Sequence, residues 1–452
     1  MDRNDIISHQ PGDGLCYDPT QPEYWSLEAL REEIVRIFEI CHGCRLCFKY
    51  CDTFVELFAL LDKKHDGDVR RISAAETEQV LAHCFQCKLC DVQCPYSPRE
   101  NHSYQLDFPH LVHRYRAIRT KQKGLSFQEK ILTDPDRAGH LARASLGLAN
   151  LGNRVKLQRW LLEKTLGVHR HKLLPDFART SFASWAARSG RLATTADCEA
   201  VLFQTCFVQH NQPQIGKDTL AVLELNGVNV KCVPDLRCCG MPAWEKGDLA
   251  RVREQASHNL RLLLPFVEQG AKVIVINPTC SLMLRREYPT LVAPEDRDAA
   301  GQVAAAVMDA GEFLWSIRHQ QRFNTRFLTT PNGVVCYHVP CHLRAQAIGF
   351  PAKDLLKKIP GVKLVLVQEC CGHDGTYAMT VDGFEASRRI GRKAFTAMQD
   401  AEAVLWATDC PLASLQFKQH AGRQPLHPMS ILARAYRSDG FPESVPDDRD
   451  MG

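Results

Sequence analysis

No uninterrupted apolar run in the chain reaches the roughly 18–20 residues that span a bilayer. The first residues, MDRNDIISHQPGDG, lack the apolar core of a secretory leader. Together these absences point to a cytoplasmic chain whose membrane contact, if any, is peripheral on the inner face. There is also no G-x-G-x-x-G, no phosphate-binding P-loop and no G-x-S-x-G elbow. A nicotinamide or flavin, where one is needed, must then arrive on a partner.

Net charge is small, at +4 over 452 residues, but it is unevenly spread. Residues 111–191 hold 17 Lys/Arg against 5 Asp/Glu, so the rest of the chain is acidic on balance. Such a stretch reads as a solvated basic helical surface, or as a docking face for an acidic partner or anionic lipid. No nucleic-acid reading motif accompanies it, which argues against nucleic acid.

Cysteine is the residue in excess, with 20. In a reducing compartment thiols stay free, and clustered ones bind metal. CHGCRLCFKYC at 41–51 has the spacing C-x2-C-x2-C-x3-C, and CFQCKLCDVQC at 84–94 repeats it. Zinc sites use paired C-x2-C knuckles well apart in sequence, which fits a doubled eight-cysteine pattern poorly. Two [4Fe–4S] clusters fit it well. Both groups sit between helices. Ser26 is placed to cap a helix with an apolar face of Leu27, Leu30, Ile34 and Ile37, and Phe54, Leu57, Phe58 and Leu61 mark the next.

From about residue 196 the texture changes. EAVLFQTC, GVNVKCV, AKVIVINPTC, GVVCYHVPC, GVKLVLVQECC and AEAVLWATDC are short β-rich runs alternating with helical stretches, which predicts a mostly parallel α/β sheet. The part is duplicated. Cys206, Cys238, Cys239 and Cys280 recur as Cys341, Cys370, Cys371 and Cys410, offset by 135, 132, 131 and 130 positions. Cys206, Cys280, Cys341 and Cys410 fall at carboxyl ends of predicted strands, the edge where sites assemble. Gly240 and Gly372, each after a cysteine pair, permit the sharp turn needed for both sulfurs to face one centre. His338, His342 and His373 lie near these cysteines, either as donors to a cluster or as satisfied polar residues of the same crevice. Cys16, Cys198, Cys232 and Cys336 fall outside every motif and read as ordinary thiols, and His169 and His171 as solvated members of the basic face.

The first pair of loops resembles two-cluster ferredoxins, in which the fourth cysteine of each loop serves the other cluster. That resemblance implies Cys41, Cys44, Cys47 and Cys94 around one cluster and Cys84, Cys87, Cys90 and Cys51 around the second. Pro95 follows the second loop as in that family, whereas Asp52 follows the first. The pattern C…CCG…C, twice, behind such a domain resembles the iron–sulfur C subunit of anaerobic glycerol-3-phosphate dehydrogenase and the heterodisulfide reductase-like CCG proteins. The resemblance covers roughly residues 36–435. It implies an iron–sulfur electron-transfer subunit of an oxidoreductase complex, carrying electrons from a flavoprotein or other donor to the CCG domains and on to a quinone or protein acceptor. The alternative is an enzyme reducing a disulfide at the CCG site.

It also implies metal at Cys206, Cys238, Cys239 and Cys280, and at Cys341, Cys370, Cys371 and Cys410, with one or two further clusters. The family's closing CxxC lacks its first cysteine in both halves, where Asn277 and Ala407 stand; these positions are expected to mark the side of the missing fifth ligand. The domains expected are an N-terminal extension and entry helix (1–35), an α-helical two-cluster ferredoxin domain (36–108), a basic helical linker (109–195), two CCG α/β domains (196–325 and 326–440) and a flexible tail (441–452).

Overall fold

A computed structural model describes residues 7–12, 15–193, 197–373 and 375–441. The expected tail beyond Phe441 lies outside the described residues.

The N-terminal part is helical because its apolar residues recur every three or four positions and its starts are capped. The Ser26 hydroxyl accepts the Ala29 amide at 3.2 Å and opens the helix Leu27–Cys44. Ser73 and Glu76 form a reciprocal capping box before the helix Ala74–Ala82. Leu30, Ile34 and Ile37 are buried as expected, but Leu27 is not: it is 57% exposed, one turn short of the packed stretch, and Phe38 and Ile40 complete the face instead. Helix Asp52–Lys64 turns Phe54, Leu57, Phe58 and Leu61 inward. Helix Phe108–Lys123 closes this core, with Phe108 and Phe54 ring centroids 4.9 Å apart. Short helices follow through the basic segment: Phe127–Leu132, Pro135–Ala144, Leu148–Gly152, Lys156–Leu166 and Phe182–Arg188.

Beyond them lie two all-parallel sheets. The first comprises β1 (Ala200–Phe203), β2 (Val230–Cys232), β3 (Lys272–Val275) and β4 (Val307–Asp309), in the order β2-β1-β3-β4. The second comprises β5 (Gly333–His338), β6 (Val362–Val367) and β7 (Leu405–Thr408), in the order β6-β5-β7. The orders match strand for strand across the sequence repeat. β4 departs from the sequence expectation: three residues following directly on the helix Arg297–Ala306 give no alternation to read. Its place in the second half is held by a single parallel bridge, Ala407 with Leu426.

Both faces of the first sheet are covered, as parallel sheets require, while the edge strand β6 of the second leaves Lys363, Val365 and Leu366 exposed. Leu202 and Ile274 from one sheet and Val335, Tyr337 and Ala407 from the other share one core with the helices Pro213–Leu225 and Pro428–Ala435. The alternate residues Val201, Val273 and Val275 enter a second core, and Cys336 and Trp406 a third. The two halves are therefore joined through common apolar packing, with their cysteine-bearing strand ends on one side.

Candidate metal centres

Cys41 and Cys44 ride the last turn of the helix Leu27–Cys44, which Arg45 ends in the left-handed conformation at φ 56°. Lys88, one residue after Cys87, repeats that conformation at φ 58°. Each loop thus turns sharply just past its second cysteine and carries a basic residue there. Cys41, Cys44 and Cys47 do not enclose a space with their own Cys51. They line a small cavity together with Cys94, walled by Ile40, Phe54, Phe58 and Leu106. Cys51 lines a second small cavity with Cys84, Cys87 and Cys90. As free thiols these groups resist ionising. Burial, then neighbouring thiols, pushes Cys47 up to about 12, and burial raises Cys94 to about 11. Four thiolates gather in such a space only around positive charge, and the donor set is the one an iron–sulfur cube takes.

In the first half the dispersed cysteines come into contact. Cys206 begins the helix Cys206–His210 just after β1, the pair Cys238–Cys239 follows β2, and Cys280 lies in the helix Pro278–Leu282 after β3. Cys238 is in contact with Cys206 and Cys239, and Cys239 with Cys280. Thiol donors from Cys206 and Cys239 hold Cys238 down at about 5, and the same contacts raise both partners. Around this group the Asp136 carboxylate accepts the Cys238 amide at 2.7 Å, and the Tyr288 hydroxyl donates to the Cys239 carbonyl at 3.1 Å. His210 meets the other oxygen of Asp136 at 3.1 Å.

In the second half Cys341 opens the helix Cys341–Gln346, Cys370 and Cys371 follow β6, and Cys410 caps the helix Pro411–Ala421. Cys370 touches Cys341 and lies beside Cys371. Its sulfur accepts the Gly372 amide at 3.3 Å, and the Cys410 sulfur accepts the Ala413 amide at 3.4 Å. Gly240 and Gly372 are both left-handed, at φ 89° and 73°. At Gly372 the requirement is absolute, because a Cβ would stand 2.0 Å from the Ser387 carbonyl oxygen. No three His, Cys, Asp or Glu side chains among the described residues are gathered tightly enough for a single metal ion. A cube, with one thiolate on each corner iron, spaces its ligands more widely.

The histidines divide. His338 is satisfied by the Thr408 hydroxyl and the Glu369 carbonyl, both at 3.1 Å. His342 bridges the Thr279 hydroxyl and the Gln86 carbonyl at 2.9 Å each, tying together three parts of the chain. His373, next to the second cysteine pair, keeps both ring nitrogens buried without a partner among the described residues. An orphaned donor two positions after Cys371 fits a bound cluster, whose sulfurs accept hydrogen bonds. His169 departs from the expected solvated state: its ring stacks on Phe384 at 4.0 Å. Asn277 and Ala407 are both taken up by structure. Asn277 caps the helix Pro278–Leu282 by accepting the Thr279 amide at 3.0 Å, and Ala407 faces the core shared by the two sheets. Neither opens a side for a fifth ligand. Cys198, Cys232 and Cys336 are buried in apolar surroundings, Cys336 against the Met398 sulfur at 3.3 Å, and Cys16 contacts the Asp18 carbonyl.

Two features carry no strong signal in the sequence. The two ends of the chain's cysteine array meet: Cys87 is in contact with Cys370, within an apolar patch that includes Phe85, Leu89 and Tyr377. Beside it, buried Lys88 pairs with buried Glu287, which also bonds His110 at 3.1 Å. Lys88, between Cys87 and Leu89 in the second cysteine loop, is the one hint of that network.

Comparison with known proteins agrees with this geometry. A 4Fe-4S dicluster domain matches residues 40–98, and a cysteine-rich domain matches twice, at 200–285 and 335–418. The C subunit of anaerobic glycerol-3-phosphate dehydrogenase from Escherichia coli (strain K12) is 28% identical over 69% of this chain and 77% of its own. The probable glycolate oxidase iron-sulfur subunit of Bacillus subtilis (strain 168) is 24% identical over 85% and 89%. The B subunit of fumarate reductase (CoM/CoB) from Methanothermobacter marburgensis is 27% identical over 51% of this chain and 44% of its own. The chain thus carries a 4Fe-4S dicluster domain followed by two cysteine-rich domains, the arrangement of an iron–sulfur oxidoreductase subunit.

Proposed function

We propose that the chain is the electron-transfer subunit of a larger complex, taking electrons from a flavoprotein partner and delivering them to a quinone or protein acceptor. Cys41, Cys44, Cys47 and Cys94 would hold one cube, and Cys51, Cys84, Cys87 and Cys90 the other. Cys206, Cys238, Cys239 and Cys280, and Cys341, Cys370, Cys371 and Cys410, would hold centres in the cysteine-rich halves. When bound, such clusters supply one-electron reduction and oxidation. The chain's own part is to fix the ligands, exclude water with Phe54, Phe85 and Phe108, and bring the groups close together.

The observation that carries this reading is the contact of Cys87 with Cys370. A ligand of the dicluster domain against a ligand of the second cysteine-rich half leaves no protein gap to cross. Iron and labile sulfide in the anaerobically purified chain are expected to exceed the roughly eight of two cubes. Cys370→Ala is expected to lose the second half's share of the excess and leave the rest. A count of about eight that this variant does not change would remove the cysteine-rich halves from the path.

The same chain is read as peripheral to a membrane. No helix among the described residues is long and apolar enough to cross one. Yet the helices of the basic segment expose bulky apolar side chains: Phe127, Leu141, Leu148, Leu151, Leu157 and Leu161, with Leu146 95% exposed. Leu146 stands on a turn at φ 52°, a strained state for leucine that points it away from the body. Lys130, Arg137, Lys156 and Lys164 lie among them. Apolar projections with interspersed cations suit the acidic face of a bilayer. Replacing Leu146, Leu148 and Leu157 together by glutamine is expected to remove about 3 kcal/mol of burial, about a hundredfold in partition to anionic vesicles. Co-sedimentation equal to that of the unaltered chain would leave these side chains without a lipid role.

A further inference from the structure

A large cleft lies away from every cysteine group. It is a cleft of about 2230 Å³, mouth included, framed by three separate stretches. One wall is the helix Lys156–Leu166 with the loop 170–176, another is Asn211 and Gln212, just past the helix that Cys206 begins. The third is Leu415, Lys418 and Gln419 of the helix that Cys410 caps.

Its lining is strongly cationic, with Asp176 the one carboxylate among the described residues there. Arg154 is neutralised by Asp176 at 2.8 Å and Arg170 by Glu163 at 2.5 Å. That leaves Lys156, Arg159, Lys172 and Lys418 with no carboxylate partner among the described residues. Two of the four are not on the surface at all: Arg159 is 6% exposed and Lys172 5%. Arg159 spends Nε and Nη2 on the carbonyls of His169, Arg170 and Lys172, at 2.7–3.1 Å, while Nη1 is buried with no partner among the described residues. Burying cations without a paired carboxylate is costly, and the buried Arg159 and Lys172 add positive potential to this wall.

We propose that this cleft binds a multivalent oxyanion, a small molecule bearing several carboxylate or phosphate groups. Four unbalanced cations around one concavity call for more than one negative charge, and Gln212, Gln419 and Gln424 add polar contacts on the rim. The site is wired to the second cysteine-rich half. The Lys172 ammonium bonds the Gln416 side-chain oxygen, and the Gln416 amide donates to the Cys371 carbonyl at 3.2 Å and to Ser387 at 2.9 Å. Lys172, on which an anion would sit, therefore lies two hydrogen bonds from a residue of the second cysteine group. The proposal rests on the cleft's own charge and does not depend on what the cysteines bind.

Trp160 lines the cleft, so its emission reports occupancy. The full chain with its visible absorption intact is titrated with inorganic pyrophosphate and with citrate at constant ionic strength. A saturable, one-to-one change absent from Trp160→Phe is expected. Affinity is expected to fall at least tenfold in the paired variant Lys156→Gln/Lys418→Gln, whose side chains are not buried and are safe for folding. Arg137→Gln, a basic residue outside the cleft, is expected to leave it unchanged. Phosphatidylglycerol vesicles separate the two sources of such an anion. Displacement of the chain from them by pyrophosphate assigns a lipid headgroup to the cleft, and binding of pyrophosphate without displacement assigns a free solute. An equal response to sodium chloride at matched ionic strength, or unaltered binding in the paired variant, would overturn the proposal.

Discussion

Cys51→Ser is expected to destroy or convert the centre of the opposite loop and to leave the centre beside it in sequence intact. The reason is the crossing of the two loops. Cys51 is the first residue before the helix Asp52–Lys64, and its extended backbone carries the thiol away from Cys41, Cys44 and Cys47. It enters the cavity that Cys84, Cys87 and Cys90 line, while Cys94 takes the remaining corner of the first. Burial, then the thiols of Cys87 and Cys84, raises the Cys51 pKa. Cys47→Ser is the matched control, expected to affect the other centre. Paired electron paramagnetic resonance and iron analysis on the two variants read the difference as a loss of up to about four irons from a different centre in each. If both variants lose the same signal, the crossed assignment is wrong.

How much of this could be read from the residues depended on how local the determinant was. Cysteine spacing is local, and so are capping residues such as Ser26 and Ser73, the i, i+3, i+4 apolar set from Phe54 to Leu61, and the β-rich runs that became six of the seven strands. The duplication carried long-range information in compressed form: matching Cys370 with Cys238 predicted two groups of four from residues spread over more than two hundred positions. Features made by packing between distant segments left no such trace. The basic stretch read as surface or docking face, and much of it is; but Asp136 reaches the Cys238 amide, and Lys172 is buried against Gln416. Composition cannot separate the cations that face solvent from the two, Arg159 and Lys172, that are buried at a cleft wall. Asn277 and Ala407 misled for a related reason. A position vacated by a ligand is not left empty, and here one became a helix cap and the other core.

Glu287 is the least legible residue of all and is expected to give the largest loss of stability. A stretch of π-helix, Met283–Glu287, adds an extra residue to its turn and swings Glu287 and Tyr288 into the interior. Its side chain is 1% exposed and meets the Lys88 ammonium, 199 positions away, and His110. His110 bonds Asp107 at 2.6 Å on its other nitrogen, and Lys88 also lies 4.9 Å over the Trp244 ring. This is the polar seam between the dicluster domain and the first cysteine-rich half. Glu287→Gln leaves the buried Lys88 charge unbalanced, which costs about 3–5 kcal/mol when one partner of a buried pair is removed. Lys88→Met/Glu287→Leu removes both charges and is expected to recover most of that loss.

The pH dependence has a definite sign. Against desolvation, Asp107 and Glu287 raise His110 to about 10, so its contribution is fully present below about 6.5 and fades as pH climbs toward 10. Burial opposes ionisation of Glu287, but Lys88 and His110 outweigh it and hold the carboxyl well below the usual range. Its contribution is present above about 4.5 and fades as pH falls further. The His110 ring keeps 29% of its surface in solvent, which screens its share and leaves Lys88 with most of the penalty. Thermal unfolding of wild type, single and double variants from pH 5 to 9.5, followed by tryptophan emission, tests both parts. The single variant is expected to melt several degrees lower at pH 6 and to show a flatter decline above pH 7. A single variant within about one degree of wild type across that range would mean that the seam contributes nothing to stability.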